Sequence, residues 1–134
     1  MSRPDLNGTW NQVKNENFDA YMRALNVGFA TRKIGNMLSP QKVITQDGDH
    51  MNIKTLSTFK NHEIDFDLGK EFEEHTLDGR TVKTTINWDG EKLCGDQKGE
   101  KADRGWCHTL VDGTLHLDLH VGDVRCHQEF KKGS

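Results

Sequence analysis

Apolar residues recur along this chain at two spacings, helical in one short stretch and strand-like through a long tract. Phe18, Tyr21, Met22 and Leu25 fall at i, i+3, i+4 and i+7, one face of an amphipathic helix, and Asn15 stands where it could cap the first turn. Asn26 stands where it could cap a second helix, in which Ala30, Ile34, Met37 and Leu38 gather near one face before Pro40 stops it. The pair, over about 15–38, reads as a helical lid. From Gln41 onward, Asp47-Gly48, Leu68-Gly69, Asp78-Gly79, Asp89-Gly90, Asp112-Gly113 and Gly122-Asp123 cut the chain into strand-length segments, which predicts antiparallel hairpins. With Gly8 to Lys14 counted first, about ten strands result, too many for a flat open sheet in so short a chain. The expected fold is all-β: a ten-stranded antiparallel β-barrel, or clam-like pair of sheets, under a two-helix lid.

Strand alternation sorts the side chains into inner and outer sets. Leu115, Leu117, Leu119 and Val121 share one face, opposite Thr114, His116, Asp118 and His120. Val82, Thr84, Ile86 and Trp88 form a second inner set, Trp106, His108 and Leu110 a third, and Val124, Cys126, Gln128 and Phe130 a fourth. His108 and Gln128 therefore point inward. A polar group among apolar neighbours costs about 1–3 kcal/mol without a hydrogen-bond partner. The two could pair with each other, with Thr84, with internal water or with a ligand. A hollow interior also accounts for a hydrophobic content of only 33%, because the centre need not be packed solid.

Charge and motifs narrow the function. The 134 residues suffice for one domain, 1–134, and no apolar run approaches the roughly 18 residues of a membrane-spanning helix. A net charge of -3 lacks the basic surface that grips a nucleic-acid backbone. Neither Met1-Ser2-Arg3-Pro4-Asp5 nor Lys131-Lys132-Gly133-Ser134 resembles a targeting or lipidation signal, so a cytoplasmic protein is expected. Cys94, Cys107 and Cys126 are odd in number, contain no C-x-x-C and are expected to be reduced structural thiols. No G-x-S-x-G, P-loop or H-E-x-x-H motif is present, which argues against an enzyme. His116 and His120 lie on an outward face, two pleats apart with Asp118 between them, and read as a solvated strand, so no metal is expected.

Gly8-Thr9-Trp10, Asn15-Glu16-Asn17-Phe18-Asp19, Tyr21-Met22 and Leu25 together resemble the N-terminal signature of the intracellular lipid-binding proteins, the fatty-acid-binding protein family. Ala30-Thr31-Arg32-Lys33-Ile34, Leu56-Ser57-Thr58-Phe59, Gly69-Lys70-Glu71-Phe72-Glu73-Glu74, Gln97-Lys98-Gly99-Glu100-Lys101 and Arg104-Gly105-Trp106 are similar to the cellular retinol-binding group within it. The resemblance covers essentially the whole chain. It implies a β-clam that carries one hydrophobic ligand, with no cofactor and as a monomer, and that membranes or retinoid-metabolising enzymes can receive the ligand.

Relatives that bind carboxylates hold them with buried arginines and a tyrosine, and the last two of those positions read Gln128-Glu129-Phe130 here. The other clamp position carries His108. An imidazole and a primary amide suit an alcohol, so all-trans-retinol, or retinal, is the expected ligand; a fatty-acid or retinoic-acid carrier and a ligand-free interaction module are the alternatives. By resemblance Lys42 approaches the bound polyene and Trp106 lines the pocket near the hydroxyl, while Phe18, Ala30 and Phe59 are the portal candidates. Gln12, Asp96, Thr109 and Glu129 depart from the family pattern, which leaves the shape of the pocket open.

Overall fold

The computed structural model describes residues 3–133; Met1, Ser2 and Ser134, part of the two terminal stretches searched for signals, lie outside them. β1 (Gly8–Glu16) leads into α1 (Phe18–Ala24) and α2 (Phe29–Met37). The hairpin strands follow as β2 (Gln41–Asp47), β3 (His50–Leu56), β4 (His62–Asp67), β5 (Phe72–His75), β6 (Thr81–Asp89), β7 (Lys92–Lys98), β8 (Arg104–Val111), β9 (Thr114–Val121) and β10 (Val124–Lys132). They form one antiparallel sheet in the order β4-β3-β2-β1-β10-β9-β8-β7-β6-β5, so the first and last strands pair in its middle. The predicted turn chemistry holds: Asp112 and Gly113, at φ 50° and 79°, both take the left-handed conformation that a tight twisted hairpin requires.

No backbone ladder joins β4 to β5 among the described residues, so the barrel is nearly closed. Side chains bridge the seam. Phe66 stacks on Phe72 with ring centroids 5.7 Å apart, and His62 Nε2 lies 3.1 Å from Glu74 Oε2.

Inside, the barrel is packed in one part and hollow in another. Leu6, Trp10, Met51, Phe66, Ile86, Leu93 and Leu115 form the sealed part, where the Trp10 indole N–H donates to the Leu6 carbonyl at 3.0 Å. Ile53, Ile64, Trp106, Leu117 and Phe130 belong to the same cluster but also line the cavity. The low apolar content is thus matched by an interior that is only partly filled.

Several expectations need correction. Asn15 does not cap a helix. A β-bulge between Gln12 and Lys14 inserts one residue against β10 and reverses the inward parity of the strand, so Trp10 and Gln12 point in, then Asn15. Asn17 occupies the start of α1 in a left-handed conformation, φ 63°, and its side-chain amide donates to the Arg125 carbonyl at 2.7 Å. Gly28, not Asn26, precedes α2, and Asn26 turns the linker with φ 64°. The helices accordingly cover 18–37 rather than 15–38. No residue of α2 is fully buried; of the expected apolar face, Ala30, Ile34 and Met37 are exposed, while Leu38, just past the helix, is half-buried and lines the cavity. Its close approach to α1 is at Gly35, where a Cβ would come within 2.8 Å of Met22 Sδ, and Arg32 and Asn36 both donate to Asp19 Oδ1 of α1, at 3.2 and 3.0 Å.

The cysteines also differ from expectation. Cys94 and Cys107 sit directly opposite on β7 and β8 with Cα atoms 4.1 Å apart and are joined as a disulfide, while Cys126 is free and buried. Local spacing could not reveal this pair, because strand register, not sequence proximity, places the two residues side by side.

Candidate functional site: a lined cavity under the helical lid

A cavity of about 260 Å³ runs from the lid into the barrel. Phe18 of α1 and Phe59 of the β3–β4 turn line its lid side, together with Leu77 of the β5–β6 turn. Ala30 does not line it and lies on the exposed face of α2. Lys42, Trp106, His108 and Gln128 all do. The structure therefore brings six of the seven residues singled out in the sequence to one cavity and leaves Ala30 outside.

Register explains how the polar groups come together. His108 on β8 and Gln128 on β10 both stand opposite Leu117 of β9, so the three form one inward row across adjacent strands. The bulge in β1 extends that row to Asn15, whose Oδ1 accepts from Gln128 Nε2 at 3.1 Å. His108 is 2% exposed and pairs in register with Leu93 of the sealed core, and neither of its ring nitrogens has a hydrogen-bond partner among the described residues. The Trp106 indole meets it edge-on, centroids 4.8 Å apart and planes at 77°. Gly95 makes room for that indole: a Cβ there would lie 2.7 Å from its ring atoms.

A second row crosses β2, β3 and β4. Lys42 stands opposite Thr55, and Thr55 opposite His62, which reaches Glu74 over the seam. Lys42 Nζ lies 3.5 Å from Thr55 Oγ1 and 5.7 Å from the centroid of the Phe130 ring. Glu74 was not anticipated as an inner residue. Its carboxylate is buried and accepts from Thr84 Oγ1 at 2.7 Å and from Gln97 Nε2 at 3.1 Å. Beneath the lid a further pair, Arg104 and Asp78, is joined at 2.6 and 3.3 Å, and Arg80 reaches from the same turn to the Leu25 carbonyl at 3.0 Å, tying the turn to α1. The lining is thus not uncharged, as the clamp positions alone suggested.

Electrostatics assigns these groups different states. Burial, and then the nearby Lys42 charge, push His108 well below the ordinary histidine range, so it is neutral at physiological pH. One of its nitrogens then donates and the other accepts. Burial lowers Lys42 to about 8, with the Glu74 charge acting in the opposite sense. Burial opposes the charge on Glu74 as well, yet hydrogen bonds from His62, Thr84 and Gln97 outweigh it and hold the carboxyl below its usual value. Lys42 and Glu74 consequently balance each other, and His108 is left as a neutral, unpaired donor and acceptor among apolar walls.

Comparison with known proteins agrees with this geometry. The model of the lipocalin / cytosolic fatty-acid binding protein family matches residues 7–133. Retinol-binding protein 1 of Rattus norvegicus is 53% identical over 130 residues, 96% of each chain. Among solved structures, human cellular retinol-binding protein IV superposes with a TM-score of 0.94 at 42% identity, covering 97% of this chain and 99% of the other. A protein described as a fatty acid transporter gives the same TM-score at 43% identity, covering 97% of each. With fold, coverage and sequence in agreement, the chain belongs to the lipocalin / cytosolic fatty-acid binding protein family.

Proposed function

We propose that the protein is a carrier for one retinoid, with all-trans-retinol as its preferred ligand. The observation that carries this reading is His108: a neutral imidazole among apolar walls at the inner part of the cavity, closed off from solvent and, among the described residues, lacking a partner on either nitrogen. A hydroxyl both donates and accepts, so it can pair with either ring nitrogen of a neutral imidazole without bringing a charge into the barrel. Gln128, steered by Asn15, is the second neutral group within reach of the same row. Trp106 and Phe130 supply walls for a conjugated chain, Lys42 flanks it, and Phe18 and Phe59 border its way in.

Binding strength and selectivity have separate sources. Burying on the order of 400 Å² of apolar ligand surface at about 25 cal/mol per Å² contributes roughly 10 kcal/mol before association costs. A neutral hydrogen bond adds only about 0.5–1.5 kcal/mol net, enough to rank ligands rather than to hold them. The same reading makes the chain a monomeric, non-catalytic cytosolic carrier that hands its ligand to membranes or retinoid-metabolising enzymes. Wherever a reducing glutathione pool surrounds it, Cys94 and Cys107 stand as adjacent thiols.

A fatty-acid carrier is the competing reading, and the Lys42 ammonium is the observation on its side. Parallel titration of retinol, retinal, retinoic acid and oleate, followed by quenching of the three tryptophans, separates the two. Saturable one-to-one retinol binding, with both acids at least about tenfold weaker, is expected if an uncompensated carboxylate is excluded; tight oleate with weak retinol would overturn the assignment. His108→Leu should weaken retinol by roughly two- to tenfold, the value of one neutral hydrogen bond. It should leave the hydrocarbon analogue lacking the hydroxyl unaffected.

A further inference from the structure

The outer face of β9 and β10 carries a side-chain cluster that the ligand cavity does not use. Strand alternation that turns Leu117 and Gln128 inward turns His116, Asp118, His127 and Glu129 outward. Register sets Glu129 opposite His116 and His127 opposite Asp118, so two histidines and two carboxylates occupy one small patch of two neighbouring strands. We propose that His116 Nδ1, His127 Nε2 and Glu129 Oε2 form a binding site for a divalent d-block cation, zinc in particular.

The distances suit that ion. Zinc takes imidazole nitrogen at about 2.0–2.1 Å and carboxylate oxygen at about 2.0–2.2 Å in tetrahedral geometry, which spaces the ligand atoms about 3.4 Å apart. The three separations here are 3.3 Å between the histidines, 3.0 Å from His127 to Glu129 and 3.9 Å from His116 to Glu129. All three ligand atoms belong to half-buried side chains. The fourth tetrahedral position is left to water or to a group on another molecule.

Asp118 is the independent observation that points to a metal. Its Oδ1 lies 2.7 Å from His127 Nδ1, so that nitrogen carries the proton and donates it to the carboxylate. His127 Nε2 then faces Glu129 Oε2 at 3.0 Å and His116 Nδ1 at 3.3 Å; without an ion a proton on Nε2 is donated to the carboxylate, and a cation takes that proton's place. A carboxylate holding one ring nitrogen of a histidine while the other binds the cation is the recurrent second partner of zinc-ligating imidazoles, where it fixes the tautomer and raises ligand basicity. Once that proton is lost, three ligand atoms converge on one point, which is the arrangement a cation accommodates. Lys14 from β1 is the competitor, with Nζ 3.7 Å from Glu129 Oε2 and 3.2 Å from Glu16 Oε1; the latter contact gives it somewhere to go when the ion binds. Histidine spacing along β9 alone could not show this site, because half of it lies on the next strand.

The test is titration of zinc chloride into the full chain with its Cys94–Cys107 disulfide intact, followed by imidazole nitrogen NMR of all seven histidines. Saturation at one equivalent, with His116 and His127 moving together and His50, His62, His75, His108 and His120 unmoved, is expected. His116→Gln and His127→Gln should each weaken zinc at least tenfold, whereas His120→Gln should not, and retinol binding should be the same in all three. Cobalt substituted for zinc should give ligand-field bands without a thiolate charge-transfer band. Shifts spread evenly over the histidines, unchanged affinity in His127→Gln, or a thiolate band would each overturn the proposal. Because retinol is measured separately, failure here leaves the carrier reading standing, and failure of that reading leaves this site standing.

Discussion

Glu74→Gln is expected to raise the affinity for retinoic acid relative to retinol by about tenfold or more near neutral pH. In the native barrel the Lys42 ammonium is already balanced by the Glu74 carboxylate, as Arg104 is by Asp78, so a bound carboxylate would bring a negative charge with no cation left to balance it. Two unit charges about 10 Å apart at an effective dielectric of about 20 repel by roughly 1.7 kcal/mol, which is more than a factor of ten. Glutamine keeps an oxygen to accept from Thr84 and Gln97, and its amide can donate to the other tautomer of His62, so the network survives while the charge does not. Paired titrations of retinol and retinoic acid on the two proteins read the ratio. An unchanged ratio would mean that Glu74 does not govern the charge seen by the ligand.

Lys42→Met is expected to stabilise the ligand-free protein by about 3 kcal/mol near neutral pH. Burial brings Lys42 from 10.5 down to about 8, and at about 1.4 kcal/mol per pKa unit this is the cost of keeping the ammonium in the barrel. The sign follows from proton counts. Between about 8 and 10.5 the unfolded chain holds this proton and the folded one has released it, so wild-type stability rises with pH across that window. Below it the penalty is present in full, and above it the penalty is gone. Methionine has a similar length, rests on the Phe130 ring without a charge, and leaves Glu74 its bonds to His62, Thr84 and Gln97. Urea unfolding should show the advantage of Lys42→Met at neutral pH and its decline toward pH 10.5. A less stable variant at neutral pH would mean that attraction to Glu74 outweighs the burial cost. In a carrier, such a penalty is what a bound ligand's contacts can offset.

The strands were legible because two local signals agree: alternation sorts Leu115 to Val121 into faces, and Asp-Gly pairs such as Asp112-Gly113 supply the left-handed residues their hairpins need. The inward placement of His108 and Gln128 followed from the same alternation, and both line the cavity. Other features depend on register, which no local pattern encodes. The bulge after Gln12 flips every later residue of β1, which turned Asn15 from an expected helix cap into a cavity residue beside Gln128. Cys94 meets Cys107, and His116 meets Glu129, only because of how β7 pairs with β8 and β9 with β10.

Glu74 was missed for another reason: it lies in a run of charged residues, Glu71-Phe72-Glu73-Glu74, that reads as surface. Yet alternation with Phe72 already places it inward, and its partners come from β4, β6 and β7. On α2, apolar residues stayed on the solvent side because Gly35, not a side-chain stripe, makes the close contact with α1.

Whether a ligand hydroxyl pairs with His108 is read from a crystal structure of the retinol complex. The hydroxyl oxygen is expected within about 2.6–3.2 Å of a His108 ring nitrogen, hydrogen-bond range, with the polyene running back past Trp106 and Lys42 toward Phe18 and Phe59. Retinol lying with its hydroxyl at the lid, and both imidazole nitrogens still facing hydrocarbon, would contradict it.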